Sequence, residues 1–172
     1  MSEPEAPEPD PGEPDADWLT APEMRAWQRF IQSSTGLLAM LDNELQAEHA
    51  LSLGDYEVLH FLAEAPDHAI RMSDLAERLH LSPSGITRRI DGLVKAALVE
   101  RRPCPSDRRG SNAVLTPLGL KTLRNAAPTH VRGVREHFVD RLTAGQLAQL
   151  ASVLAAIDID EQRAAGGCDS AV

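Results

Sequence analysis

The chain has 172 residues, of which 42% are hydrophobic, and its formal net charge is −9 at pH 7. This length suits one domain with enough chain to bury a core, and no apolar run approaches the roughly 18 residues that span a bilayer. The acidic, proline-rich N-terminus is unlike a secretory signal, and the two distant cysteines form no disulfide framework or CxxC metal pair, so we expect a cytoplasmic protein.

The acidity is concentrated at the N-terminus. Residues 1–17 hold seven carboxylates and no basic side chain, which leaves 17 basic and 19 acidic side chains in the rest of the chain. With almost nothing to bury, residues 1–17 are expected to form a disordered, solvated tail. Residues 82–109, in contrast, hold seven basic and three acidic side chains. This local positive charge is compatible with a nucleic-acid partner despite the acidic total.

The first helix is predicted over about residues 20–48. It opens with Thr20-Ala-Pro-Glu23, a capping box in which the Thr and Glu side chains satisfy unpaired amides of the first turn. Its apolar stripe comprises Met24, Trp27, Ile31, Leu37, Leu38, Leu41 and Leu45. Ser52 marks the start of a second helix, which should end near Pro66.

Two shorter helices joined by a tight turn are predicted next. Ser73 occupies the expected N-cap of the first, and Ser82 caps the second with Pro83 at its first position. The buried stripe of the second helix is predicted to be Ile86, Ile90, Leu93 and Val94. Its opposite face carries Ser84, Thr87, Arg88 and Asp91. Such a polar face is typical of a helix-turn-helix whose second helix enters a major groove.

A two-stranded hairpin is predicted after the helix-turn-helix. Residues 97–102 and 111–115 are rich enough in β-branched side chains for strands, and prolines and a glycine break the chain between them. The tip carries Asp107, Arg108 and Arg109. The predicted fold class is therefore mainly α with a small β-hairpin wing, a winged helix-turn-helix over about residues 52–116.

The C-terminal part is predicted to be helical from about 117 to 160. Thr116-Pro117 and Thr143-Ala-Gly-Gln146 are start signals, and Pro128 should kink or interrupt the first of these helices. Apolar stripes at both ends of the chain exceed what a small DNA-binding core requires. We therefore expect a homodimer in which helices 20–48 and 117–160 pack across a two-fold axis. The residues after 162 should form a flexible tail.

The segment from Ser73 to Gly119, SDLAERLHLSPSGITRRIDGLVKAALVERRPCPSDRRGSNAVLTPLG, resembles the MarR family of bacterial transcription regulators, as does LTAGQLAQLASVL near the C-terminus. The resemblance covers about residues 18–159, within a predicted MarR-like domain of residues 18–162. It implies a winged-helix homodimer that binds double-stranded, palindromic operator DNA. Ser82, Ser84, Thr87 and Arg88 would lie at the major groove, and the DxR at Asp107 and Arg109 would steady the wing and reach the minor groove. Arg89 and Arg108 would contact phosphates or other protein groups.

The function implied is a sequence-specific regulator, with repression relieved by a small aromatic or phenolic effector. Trp27, Glu57, Arg89 and Arg102 loosely match the effector set of the urate-responsive branch, although Trp27 also suits a core or dimer position. The alternative function is a winged-helix protein-interaction module without specific DNA binding.

Other chemistries find less support in the sequence. Cys104, beside Arg101 and Arg102, is either an oxidant sensor or an incidental loop cysteine. Histidines paired with glutamates, at residues 48–49 and 136–137, would suit zinc but have no accompanying cysteine. No catalytic motif is present, so we expect no enzyme activity, no cofactor, no metal and no membrane association.

Overall fold

The computed structural model describes residues 18–104 and 107–157, which divide into two compact units at Gly36 and Leu37. The described part is mostly helical with one small antiparallel sheet, as predicted. Short 3-10 turns occur at Pro66–His68 and Val139–Arg141. In chain order the main elements are α1 (Ala21–His49), α2 (Leu53–Glu64), β1 (Ala69–Arg71), α3 (Met72–Arg78), α4 (Pro83–Lys95), β2 (Val99–Cys104), β3 (Asp107–Leu115), α5 (Pro117–His137) and α6 (Ala144–Ala155).

The first unit consists of the start of α1. The backbone N–H and the hydroxyl of Thr20 donate to the Glu23 carboxylate at 2.6 and 2.7 Å, which lowers the pKa of Glu23. The large apolar side chains along this segment are exposed, and they include Trp27 and Phe30, whose ring centroids lie 6.3 Å apart. The predicted stripe is therefore present but unburied here.

The second unit contains the hydrophobic core. Its fully buried side chains come from the end of α1, from α2, α3 and α4, and from the sheet: Leu45, Val58, Leu59, Leu62, Leu75, Ile86, Ile90 and Val99. Leu123 and Ala126 of α5 complete the cluster. Val94 is 38% exposed, so the prediction that it belongs to the buried stripe of α4 is wrong. It lies about 100° around the helix from Leu93, beyond the face that packs on the core.

The sheet has three antiparallel strands in the order β1-β3-β2. The sequence predicted only two, because β1 is three residues long and is defined by its pairing with β3, in which Ile70 lies opposite Ala113. The first predicted strand also began two residues too early. Ala97 has a left-handed backbone (φ 59°), and the Leu98 N–H donates to the carbonyl of Leu93, so residues 97 and 98 form the exit turn of α4.

Two helix predictions need correction. α3 begins at Met72 with Arg71 as its N-cap, so Ser73 is not the cap, and its hydroxyl donates to Asp74 at 2.7 Å. The start is set one residue earlier because β1 runs directly into the helix. Of the predicted kink or interruption at Pro128, the interruption is wrong, because α5 continues to His137. Proline lacks an N–H and so removes one backbone hydrogen bond from the helix. Ala126 and Thr129, on either side of Pro128, are buried, and their packing keeps the helix continuous.

The remaining start signals behave as predicted. Ser52, Ser82, Thr116 and Thr143 cap α2, α4, α5 and α6 through their hydroxyls, and the capping box of α6 is complete. No helix within the described ranges is long and apolar enough to cross a membrane. The predicted tails at 1–17 and 163–172, and the predicted extension of the last helix to 160, lie outside the described residues.

Candidate nucleic-acid interface

The candidate interface is built on α4. His80 adopts a left-handed backbone (φ 50°) after α3, and the Leu81 N–H donates to the carbonyl of Ala76 at 2.9 Å. Ser82 then caps α4 by accepting from the Gly85 N–H at 3.1 Å. These two hydrogen bonds stabilise the short turn that joins α3 to α4. The N-terminal end of α4 is thereby held at the surface.

The outward face of α4 carries hydrogen-bonding side chains. Ser82, Ser84, Thr87 and Arg88 are all exposed. The hydroxyls of Ser82 and Ser84 lie 3.1 Å apart, and that of Thr87 donates to the carbonyl of Pro83 at 2.7 Å. The side chain of Arg88 makes no hydrogen bond or ion pair with any residue that the structure describes, so its five donors are available for a ligand.

Arg89, on the next position of α4, has a protein partner. Its Nη1 lies 3.3 Å from Oδ1 of Asp55 in the first turn of α2. The guanidinium packs so closely on Gly54 that a Cβ at that position would lie 2.2 Å from Nη1. Arg89 therefore fastens α4 to α2, and any side chain at position 54 would require the Arg89 guanidinium to shift from this place.

The wing is the hairpin of β2 and β3, which is bulged between Pro103 and Cys104 and closes with Cys104 opposite Asp107. Arg102 pairs with Glu100 at 3.0 Å. The side chains of Cys104, Asp107, Arg108 and Arg109 lie outside the described ones. The predicted roles of the DxR and of Cys104 therefore stay predictions.

Arg101 supports α4 in a way that the sequence analysis did not single out. Its Nη2 donates to the backbone carbonyl of Thr87 at 3.1 Å and lies 2.9 Å from Oδ1 of Asp91. The side chain thus joins β2 to α4. Its spacing of two from Val99 is the signal that could have indicated it, because alternate residues of a strand share one face.

The four predicted effector residues do not form one ion-pair set. Trp27 lies in the first unit and is 54% exposed. In the second unit Arg89 pairs with Asp55 and Arg102 pairs with Glu100, while Glu57 is exposed on α2. The effector site stays a prediction.

A polar cluster joins the end of α1 to α5. Thr129, which is 3% exposed, donates to Glu48 at 2.8 Å and accepts from His49 Nε2 at 2.8 Å. The hydrogen bond from Thr129, with help from Arg132 and His49, holds the pKa of Glu48 below its ordinary value against the opposing effect of burial.

A second contact between these helices pairs His137 Nε2 with Glu44 at 2.5 Å. His49 and His137, which the sequence analysis weighed as zinc ligands, thus each have a protein partner. Within the described residues, no three or more His, Cys, Asp or Glu side chains are grouped so that they could hold a metal ion.

Comparisons with known proteins agree with this architecture. Residues 51–110 match the model of the MarR family. The chain is 32% identical over 97 residues to the transcriptional repressor YetL of Bacillus subtilis, a match that covers 55% of this chain and only 58% of YetL.

Two solved structures from Streptomyces coelicolor match over more of their length. Sco3205, a MarR family regulator in complex with DNA, is 37% identical with a TM-score of 0.78, covering 81% of this chain and 88% of Sco3205. AbsC, another MarR family regulator, is 40% identical with a TM-score of 0.79, covering 87% of this chain and 99% of AbsC. The chain therefore belongs to the MarR family of transcriptional regulators.

Proposed function

We propose that this chain is a sequence-specific DNA-binding regulator that represses transcription from palindromic operators as a homodimer. The observation that carries the proposal is the exposed polar face of α4, with Ser84, Thr87 and the unpaired guanidinium of Arg88 next to the basic wing. A related structure, Sco3205, is described in complex with DNA. The role is regulatory, without catalysis, and is exercised in the cytoplasm.

The side chains of α4 suit direct reading of bases. An arginine at this position can donate two hydrogen bonds to the O6 and N7 atoms of a guanine, and hydroxyls can bond to either kind of base edge. The amides at the start of the helix favour a phosphate. At the wing tip, Arg109 would enter a narrow minor groove, where the negative potential is concentrated. Specificity would therefore come mainly from the helix.

The apolar surface supports a homodimer. No described residue of α6 is buried, and Val153, Leu154 and Ile157 near its end are between 38% and 61% exposed. Along α1, the exposed apolar side chains include Met24, Phe30 and Ile31. Exposed apolar side chains grouped along a helix in this way mark an interaction site. A two-fold dimer would place two copies of α4 on half-sites about one helical turn, roughly 10 base pairs, apart.

A binding titration tests the proposal. Fluorescence anisotropy would compare the duplex upstream of the protein's own coding sequence with a shuffled duplex of equal length, at several salt concentrations. We expect affinity for the first to exceed that for the second by at least about 10³-fold and to fall steeply with salt, because bound phosphates release counterions. Equal affinity for both duplexes, or no binding, would favour the alternative of a protein-interaction module. Relief of repression by a small effector stays a prediction.

A further inference from the structure

The direction in which Arg101 projects is set by the sheet. Arg101 lies opposite Ala113 on β3, which in turn lies opposite Ile70 on β1. Ala113 and Ile70 are buried, as is Val99 two residues before Arg101. Glu100 and Arg102 occupy the other face and pair with each other. Arg101 is therefore the one charged residue of β2 that projects with the core-facing side chains, towards α4.

On α4, the guanidinium of Arg101 spans one helical turn. It bonds to the carbonyl of Thr87 and lies against the carboxylate of Asp91, four residues further along. The hydroxyl of Thr87 is bonded separately to Pro83, so Arg101 holds the backbone of the turn without occupying that hydroxyl. This is the turn that contains Thr87 and Arg88, the residues placed to read bases.

The contact of Arg101 with α4 contributes more to the placement of β2 beside the helix than to the free energy of unfolding. Asp91 is 60% exposed and Arg101 35% exposed, and exposed ion pairs contribute little to folding. The contact instead ties the wing strand β2 to one turn of α4. Arg89 performs the equivalent task on the other side, where it ties α4 to Asp55 of α2. Arg101 thus ties α4 to β2, and Arg89 ties it to α2.

We propose that Arg101 is a positioning residue that keeps the wing and α4 in register, so that minor-groove and major-groove contacts are made together on one operator. The inference rests on the proposed DNA-binding function. Because its guanidinium is engaged within the protein, Arg101 acts through α4 and not through a phosphate. Both contacts are made by Nη2. A lysine would keep the charge but replace this nitrogen, which is held in a rigid plane, by a flexible point charge.

The test compares Arg101→Ala with the matched variant Arg102→Ala, which removes the same charge one residue away without touching α4. We expect Arg101→Ala to lower the ratio of operator to shuffled-duplex affinity about ten-fold, the size of one lost specific base contact. The dependence of affinity on salt should not change, since no phosphate contact is lost. Arg102→Ala should leave the ratio within about two-fold of the unsubstituted protein.

A double-mutant cycle and a DNA-free readout complete the test. Arg101→Ala combined with Asp91→Asn should be no worse than Arg101→Ala alone, because both changes break one contact. In the free protein, Arg101→Ala should speed amide hydrogen exchange in α4 and β2 but not in α6. If Arg101→Ala lowers stability too far, Arg101→Lys and Asp91→Asn serve the same comparison.

Two results would overturn the inference. In the first, Arg101→Ala lowers the slope of log affinity against log salt concentration by about one and weakens binding equally on both duplexes. That result would make Arg101 a phosphate contact. In the second, amide hydrogen exchange in α4 is the same in Arg101→Ala as in the unsubstituted protein. That result would show that the contact does not position the helix, independently of any DNA measurement. Failure of the unsubstituted protein to prefer the operator would instead refute the proposed function, and the exchange result would still report on the contact.

Discussion

At the scale of single residues, the surface of α4 that we propose reads bases depends on side chains that the protein leaves unpaired. The Arg88 side chain makes no hydrogen bond or ion pair with described residues, whereas its neighbour Arg89 pairs with Asp55. Two adjacent arginines of one helix therefore have different tasks, because a helix turns about 100° per residue and places them on different faces. Sequence alone left the role of Arg89 open between phosphate and protein.

Arg88→Ala should change which bases are preferred. We expect a loss of about 1–3 kcal/mol of discrimination at one position of each half-site, since one bidentate donor is removed. Selection from a library of randomised operators measures the preference. Arg124→Ala, which removes the same charge from the exposed surface of α5, should leave it unaltered. An unchanged preference in Arg88→Ala would place the reading face elsewhere on α4.

Ala97→Gly should stabilise the fold. Ala97 has a φ of 59°, a conformation that costs an alanine about 1–2 kcal/mol and a glycine almost nothing. After the entropy that glycine adds to the unfolded chain, a net gain of about 0.5–1 kcal/mol in the free energy of unfolding remains. Urea denaturation measures it. Ala96→Gly is the control, since Ala96 has a right-handed helical backbone (φ −81°) and should lose stability instead.

At the scale of elements, α5 packs polar groups against α2 as well as apolar ones. The ring of His130 packs against that of Tyr56 with centroids 4.6 Å apart and the planes tilted by 33°, and its Nδ1 is buried without a hydrogen-bond partner. Burial, and secondarily the charge of His60, lowers the pKa of His130 from its ordinary 6.5. The folded protein therefore resists protonation at this position more than the unfolded chain does.

This pKa shift predicts a pH dependence of stability. As the pH falls below about 6.5, the unfolded chain binds a proton that folded His130 does not, so the free energy of unfolding declines towards acid. His130→Phe, which keeps a ring on Tyr56, should make that decline shallower between about pH 7.5 and 5.5. Thermal unfolding monitored by circular dichroism at each pH measures the slope. The exposed His68→Asn is the control, and an equal slope in His130→Phe and the unsubstituted protein would contradict the prediction.

At the scale of the whole molecule, α6 has a strongly apolar composition but no buried residue within the chain. The proposed homodimer accounts for this surface.

Light scattering should give twice the chain mass of 18.7 kDa. Leu154→Asp should shift the protein towards monomer and weaken operator binding, because a charge is costly in an apolar interface. Gln149→Asp adds the same charge at a polar position of α6 as a control. A monomeric unsubstituted protein would refute the dimer.

The order and type of the helices could be predicted from the sequence because their signals are local. A hydroxyl at the N-cap bonds to an amide only three residues away, and Ser52, Ser82, Thr116 and Thr143 do so in the structure. Periodicity likewise placed Ile86, Ile90 and Leu93 inside and Ser84, Thr87 and Arg88 outside. The polar outward face of α4 is therefore a property of the sequence itself.

Only the tertiary structure decided what joins these elements. Strand β1 exists through pairing with β3, Arg89 selects Asp55 from 34 residues away, and Arg101 reaches Thr87 across 14 residues. The start of β2 was displaced because the exit of α4 required a left-handed residue. A charged side chain offers the same donors to every carboxylate in the chain, so its partner is chosen by which groups the packed core brings within reach.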